Sequence, residues 1–576
     1  MAPSLLGPPQ HATTTTTTNE SHPSIKTTTP SSYISTGNPC LDFFHVASET
    51  PPQELIERLQ FAYQNNPLKT LKLICNLRGV RGTGKNDKEG FYASALWLHQ
   101  NHPKTLANNV GRVASFGSLK DLLEILFRIL EGLDVRKRMK DAWELEKPNF
   151  FAKRWGSKTK LSELDDKKRK AAKAEKKAAK AKKAVDRYTH DPEYKYLFDC
   201  ICDVFADYLR KDVALLGQGD EGKISLAAKW CPSLDSSYDE SLLICETIAK
   251  KVFPREVYLE YQGLEEAYYA YRVRTRLRKE VLVPLRKALE VPEVFMCAKR
   301  WRDIPYEKVP SLAMHLGKKV FLKRDVNGFE EYLEEVRDGE SMIAAGALLP
   351  HELIAGVDEG NLKLDNVLEL QWKRMVDDLS NQGTLINCVA VCDSWISDVC
   401  IALVLLVSEL TLDPWKGKTV STYDGVVEIN GEKLDSKVES VKATFSTGKI
   451  DLQEVFDSLL EFAVEKNLSE EQMVRRLFVF TEMEAGQFRE EEYGEIQRKF
   501  LDKGYHKVPE IVFWNVKNTA GMGIAVKCDQ PGVASVSGFS KNLLTLFFKE
   551  LGEFSPEGVM DAAISRPEYD LLAVHD

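Results

Sequence analysis

The chain has few of the features that announce a particular chemistry. Its eleven cysteines are odd in number and form no C-x-x-C pair, which argues against a zinc ribbon or a disulfide framework and fits a reducing compartment. Ten histidines offer only His99 and His102 as a near pair on a predicted helix, where surface or capping roles are expected rather than a metal site. There is no G-x-S-x-G elbow, no H-E-x-x-H and no complete phosphate loop, so catalysis finds little support, with Asp393 and Glu482 the one candidate carboxylate pair. The longest uncharged apolar run, Val399 to Val407, falls far below the roughly 20 residues that span a bilayer, so no membrane segment is expected. Residues 1–38, with "TTTTTT" and "KTTTPSS", lack apolar periodicity and are expected to be disordered. They are poor in acid and rich in Ser and Thr, as organelle transit peptides are, but one Lys and no Arg count against that role.

What is present is enough for about three or four folding units: 576 residues, 43% hydrophobic and 28% charged, with a net charge of −8. From Pro51 to about Pro350 the apolar residues recur at helical spacing, as in "LIERLQFAY", "LKDLLEILFRILEGL" and "YLFDCICDVFADYLRKDVALL". The pattern predicts a repeat-like α-helical array over residues 39–355, then a linker helix within 356–383. "GVRGTGKN", Gly79 to Asn86, fits G-x-x-x-x-G-K but ends in Asn86 where a phosphate loop needs a hydroxyl, and "LKTLKLICNL" before it has helical rather than strand spacing. It reads as a glycine-rich cationic loop carrying Arg78, Arg81, Lys85 and Lys88.

Between Lys158 and Arg187 stand thirteen Lys or Arg and five Asp or Glu, a local charge of +8 that leaves −16 on the rest of the chain. Its centre, "KKRKAAKAEKKAAKAKKA", favours helix but has no apolar stripe, so it should project into solvent. One reading is a solvated insertion. The other is a phosphate-neutralising arm or import signal around Lys167, Lys168, Arg169 and Lys170. A third basic stretch, "RVRTRLRKEVLVPLRK", contains Arg272, Arg274 and Arg276 and reads otherwise as the solvent face of an amphipathic helix.

Over residues 384–576 the pattern changes. Strand-like runs "LINCVAVCD", "GKTVSTYD", "RLFVFTEM", "EIVFWNV" and "GVASVSG" alternate with helical ones, and apolar strands alternating with helices imply a mostly parallel, doubly wound α/β sheet covered on both faces. Such sheets bind ligands beyond their strand C-termini, where Asp393 stands.

"VAVCDSWIS", "CIALVLLVSEL", "PWKGK", "DLQEVFD", "RLFVFTEME", "IVFWNV" and "GFSKNLL" resemble the von Willebrand factor A-type domain of a plant family called domain of unknown function 2828. "RGVRGTGK…GFYASALWLHQNHPKTL", "ISLAAKWCPS", "MCAKRWRDIPYEKVPSLAM" and "GALLPHELI" resemble that family's helical part. The family in turn resembles the Ro ribonucleoprotein and its TROVE-module relatives, in which a ring of helical repeats precedes an A-type domain and binds small structured RNAs. The resemblance implies a Rossmann-like A-type domain that often carries an octahedral cation site of D-x-S-x-S, a Thr and a second Asp. Matched position by position, Asp393 and Ser397 keep their oxygens, whereas Trp395 replaces the first hydroxyl, Ile450 the Thr, and Glu482 the second Asp. The site is thus expected to be degenerate, with no divalent metal or other cofactor.

These readings favour a non-enzymatic scaffold for a protein partner, with RNA binding as the alternative and the cytosol, or the nucleus, as its place. The two separate on charge geometry. Cationic clusters converging on one concave surface would favour RNA; dispersal would favour the scaffold.

Overall fold

Residues 33, 35–155, 163–357, 362–392, 397–445, 450–481, 490–516, 532–551 and 554–576 are described by the computed structural model. X-Pro pairs punctuate its helices. Asn66 accepts the Lys69 N–H while Pro67 fills the first position of the helix Pro67–Arg78, and Asp191 with Pro192 opens Pro192–Gly217 in the same way. A capping side chain supplies the acceptor that the first turn lacks, and proline gives up an N–H that would have no partner there. Between them, Leu119–Glu131 begins with Ser118 and Asp121 as a reciprocal capping box and buries Leu122, Leu123, Ile125 and Leu126. Among the described residues before Leu385, every regular element is helical.

One long helix departs from ideal winding. Glu266–Arg276 continues through a π-wound stretch, Leu277–Leu282, into Val283–Ala288. Pro284 lies just beyond that stretch, and the wider turn accommodates a residue that has no N–H to return to the preceding turn.

After the helix Leu362–Ser380 the chain builds an α/β region. Strands β1 (Cys388–Cys392), β4 (Arg476–Thr481), β5 (Glu510–Asn515) and β6 (Val533–Ser537) form one parallel sheet in the order β1-β4-β5-β6. β2 (Lys418–Ser421) pairs antiparallel with β3 (Gly425–Glu428) as a separate hairpin. All five strands expected from sequence form, and β3 is an addition. It is short and only half-buried, so it lacks the continuous apolar run that marks the others, and Gly425 at φ 69° lets the chain reverse into it. The run "SKNLLTLFFKEL" is a 3-10 helix, Lys541–Phe547, rather than an α-helix.

The helix Asp398–Leu410 is apolar all round, as its sequence requires, and is buried along its length. β1 packs on one side of it, and Pro350–Ile354, Leu362–Ser380 and Leu434–Thr444 pack around the rest. The core does not stop at residue 385. One buried apolar cluster runs from Cys40 and Phe44 through the helices to the sheet and on to Leu572, while Tyr306, Phe321, Phe329 and Tyr332 form a second, smaller one.

Candidate functional sites and macromolecular interfaces

The glycine-rich loop after Pro67–Arg78 is a structural joint. Its two ends touch through backbone: a Cβ on Gly84 would lie 2.2 Å from the Gly79 carbonyl oxygen, and one on Gly79 would lie 2.8 Å from the Gly84 Cα. Only glycine at both positions allows that approach. Asn86 closes the loop at φ 55°. From this tight frame Lys85 turns inward. Its Nζ donates to the Phe44 carbonyl, to the Val46 carbonyl at 2.9 Å and to the Ser537 hydroxyl on β6 at 2.9 Å. Burial pushes the Lys85 ammonium down from its ordinary range to about 7. Next to it, His45 Nε2 meets the Ser535 hydroxyl at 2.8 Å, and burial lowers that imidazole to about 3, so it is neutral.

The same loop is held from the other side. Thr83 Oγ1 donates to the Ala563 carbonyl at 2.6 Å, Ser540 Oγ donates to the Gly84 carbonyl at 2.8 Å, and Asn76 Nδ2 donates to the Tyr569 hydroxyl at 3.1 Å. Arg78 is buried against Asp121, with Nε 2.8 Å from the carboxylate. The expectation that Arg78 and Lys85 join a nucleic-acid surface is therefore corrected. Both charges face the interior, where a carboxylate or a set of carbonyls satisfies them, and only Arg81 and Lys88 of this loop are exposed.

In the third basic stretch the arginines Arg272, Arg274 and Arg276 pair with local carboxylates, while Arg278, Lys279 and Lys287 are exposed. Arg276 lies 2.6 Å from both Glu260 and Glu280, Arg272 is 3.9 Å from Glu260, and Arg274 is 3.6 Å from Glu246. Arg286 donates to the carbonyls of Ala228 and Cys231. The lysine-rich stretch differs. It forms the long helix Glu163–His190, anchored near its end by the buried Ala184 and by Tyr188 edge-on to Phe198, with its lysines from Lys170 onward exposed. Lys170 is among these, whereas the side chains of Lys167, Lys168 and Arg169 lie outside the described residues.

At the strand ends, Ser397 is the N-cap of Asp398–Leu410 and accepts the Cys400 N–H at 3.4 Å. Asp451 caps the next long helix, Leu452–Glu465, accepting from Gln453 and Glu454. Ile450 is half-buried and packs on the core. Asp393, Trp395 and Glu482 lie outside the described residues. β1 and β4, which precede Asp393 and Glu482 in sequence, are neighbours, with Cys392 paired to Phe480. Trp415 is fully buried, donates to the Gln472 carbonyl at 2.8 Å and stacks obliquely on Phe462, which makes it a packing residue.

Residues 27–385 match the family described as Domain of unknown function (DUF2828). The chain belongs to this family. Residues 381–567 match a second one, Domain of unknown function (DUF7788), so the two matches meet just ahead of β1, where helices give way to alternating strands. Uncharacterized protein L728 of Acanthamoeba polyphaga mimivirus is 25% identical over 563 residues, covering 92% of this DUF2828 chain and 85% of the viral protein. That relative is viral, and the plant attribution expected from sequence finds no support in it. The crystal structure of the Deinococcus radiodurans RO (RSR) protein covers 92% of this chain and 100% of its own, at 12% identity and a TM-score of 0.31. Among the described residues no helix is long and apolar enough to cross a membrane.

Proposed function

We propose that this DUF2828 chain is a non-enzymatic scaffold that docks a protein partner on its helical array, beside an α/β region of von Willebrand factor A type that works without a metal ion. One observation carries the docking reading: a set of large, water-exposed side chains on and beside the helix Glu266–Arg276. Tyr268 is 52% exposed, Tyr271 61%, Val257 70% and Leu259 77%. Tyr268 and Tyr271, three apart, share a helix face. The ion pairs of Glu260 with Arg272 and Arg276, and the Tyr261–Tyr269 ring contact, hold the segment with Val257 and Leu259 against the same helix. Exposed apolar groups gathered in this way mark interaction surfaces, and Tyr and Arg are the side chains that most often anchor protein interfaces.

The metal-free reading of the α/β region rests on the residues standing in the ligand places. Ile450 brings a branched alkyl group, packed on the core, to the position where the resemblance expects a hydroxyl, and Trp395 can only donate a hydrogen bond. The Ser397 hydroxyl and the Asp451 carboxylate are engaged as helix caps. RNA binding as a general property of the surface is less supported, because Arg78 and Lys85 face the interior and Arg272, Arg274 and Arg276 face local carboxylates.

The test is a photo-crosslinking side chain placed at Tyr268 in the full chain, expressed in its native cells. A protein crosslinked there is then purified and titrated against the wild type and a Tyr268→Ser, Tyr271→Ser variant. The double variant should bind at least about tenfold more weakly. Crosslinking to nucleic acid alone, or equal affinity of the two chains, overturns the reading.

A further inference from the structure

We propose that the helix Glu163–His190 is a sequence-independent binding strip for the phosphate backbone of double-stranded nucleic acid. The inference stands apart from the docking surface above and rests on different residues. From Lys170 to Arg187 the helix carries eight cations and only two acids, Glu175 and Asp186. At 100° per residue, seven of the eight cations fall within an arc of about 140°, with Lys182 alone outside it. The composition therefore hides an order: a lysine stripe backed by alanine.

Part of the stripe fastens the helix to the body. Lys177 lies 2.5 Å from Asp235 and Lys183 2.9 Å from Glu131, while Arg187 pairs locally with Asp191 at 2.8 Å, four residues on. The remainder is left for solvent. Lys170, Lys173, Lys176 and Lys180 are exposed and make no ion pair among the described residues. Cations three or four residues apart follow one another at about 5 Å along a helix axis, and a duplex presents one phosphate per about 1.7 Å of its own. Each lysine can thus find a phosphate, and its flexible stem makes the match tolerant of sequence.

Other occupants fit less well. A helix that lies in a membrane needs an apolar face, and Val185 is the one large apolar residue exposed between Lys170 and His190. Unpaired strands are held by stacking on aromatic rings, and no aromatic residue stands between Lys170 and Arg187. An acidic peptide would find Val185 as the one large exposed apolar side chain of this stretch on which to anchor.

The experiment measures binding of the full chain to a 20-base-pair DNA duplex, the same duplex in RNA, a single strand and phosphatidylserine vesicles, across a potassium chloride series. Four free cations predict a log–log salt slope near −3.6 for both duplexes, with weaker binding to the single strand. Replacing Lys173, Lys176 and Lys180 by Gln, which keeps the helix, should reduce the slope by about 2.7 and weaken duplex binding by roughly tenfold or more at low salt. Lys279→Gln, on another surface, should change neither. Circular dichroism confirms that the helical content is kept. A flat salt response, an unchanged triple variant, vesicle binding stronger than duplex binding, or full competition by poly-glutamate at equal charge overturns the proposal.

Discussion

Lys85 and Ser537 meet at 2.9 Å, joining a loop near the start of the helical array to the edge strand of a sheet built from the far end of the chain. The ammonium is otherwise surrounded by the carbonyls of Phe44 and Val46 and the Phe44 ring, with Asp87 the nearest source of compensating charge.

This environment gives a pH signature. Lys85 titrates near 7 when folded and in its ordinary range near 10.5 when unfolded, so between those values the unfolded chain holds a proton that the folded one has released. The Lys85 contribution therefore makes folding more favourable as pH rises from about 7 toward 10.5. Wild type should gain stability relative to Lys85→Met over that interval, read as the difference in urea midpoints at pH 6.5, 8 and 9.5. A difference that does not change with pH would show that Lys85 is not desolvated as described.

The opposite sign is expected for Glu124. Burial alone would raise its carboxyl, yet hydrogen bonds from Arg136, Tyr238 and Arg128 outweigh burial and hold it at about 2. Its stabilising contribution is present above the ordinary carboxylate value of 4.5 and is lost as pH falls toward 2. Glu124→Gln should cost on the order of 2–4 kcal/mol at pH 7, since Arg128 is left buried without its full pairing. The difference from wild type should shrink across pH 4.5 to 2 in acid-unfolding curves.

Gly84→Ala should be among the most damaging small substitutions. The added methyl would sit 2.2 Å from the Gly79 carbonyl oxygen, so the loop must open and release Thr83, Lys85 and the Ser540 contact together. A loss of roughly 3 kcal/mol or more is expected, visible as a lower thermal midpoint. Gly222→Ala, where a Cβ meets nothing within 4 Å, is the control and should be nearly silent.

Trp415 tests packing against ligand binding. Trp415→Phe removes the bond to the Gln472 carbonyl and should cost about 1–2 kcal/mol, while Trp415→Ala should cost about 3–5 kcal/mol by leaving a cavity beside Phe462. Both are read by chemical denaturation. A stability unchanged in either variant would remove Trp415 from the core.

Calorimetric titration of the full chain with magnesium or manganese should show no micromolar binding, because the resemblance leaves Asp393 and Ser397 as the two unaltered ligand positions. Micromolar binding abolished by Asp393→Ala would reverse the metal-free reading.

The sheet was legible in sequence because β1, β4, β5 and β6 are buried on both faces and so read as unbroken apolar runs, and "VCIALVLLV" was legible as a buried helix for the same reason. β3 was not, since three half-buried residues and an exposed Glu428 carry no such run. Charge was harder to read than apolarity. Lys85 and Arg78 look like surface cations until their buried acceptors are located: Asp121 lies 43 residues from Arg78, and Val46 and Ser537 lie 39 and 452 residues from Lys85. Two glycines five apart in that loop were the signal that backbone had to come close to backbone, and they said nothing of what the loop would meet. Arg276 shows the nearer version of the problem: Glu280 is its helical neighbour at i+4 and could have been paired from sequence, whereas Glu260 reaches it only after the chain has turned back.

The contact of the Gly79–Asn86 loop with Ser537, Ser540 and Ala563 bears on how the polypeptide is made. A ribosome releases the loop some 450 residues before the strand that receives its lysine, so throughout translation this early joint has no counterpart. Dividing the gene at the boundary between the two matched families would not yield two self-sufficient products, for each would expose the carbonyls, hydroxyls and apolar surface that the other was shaped to cover.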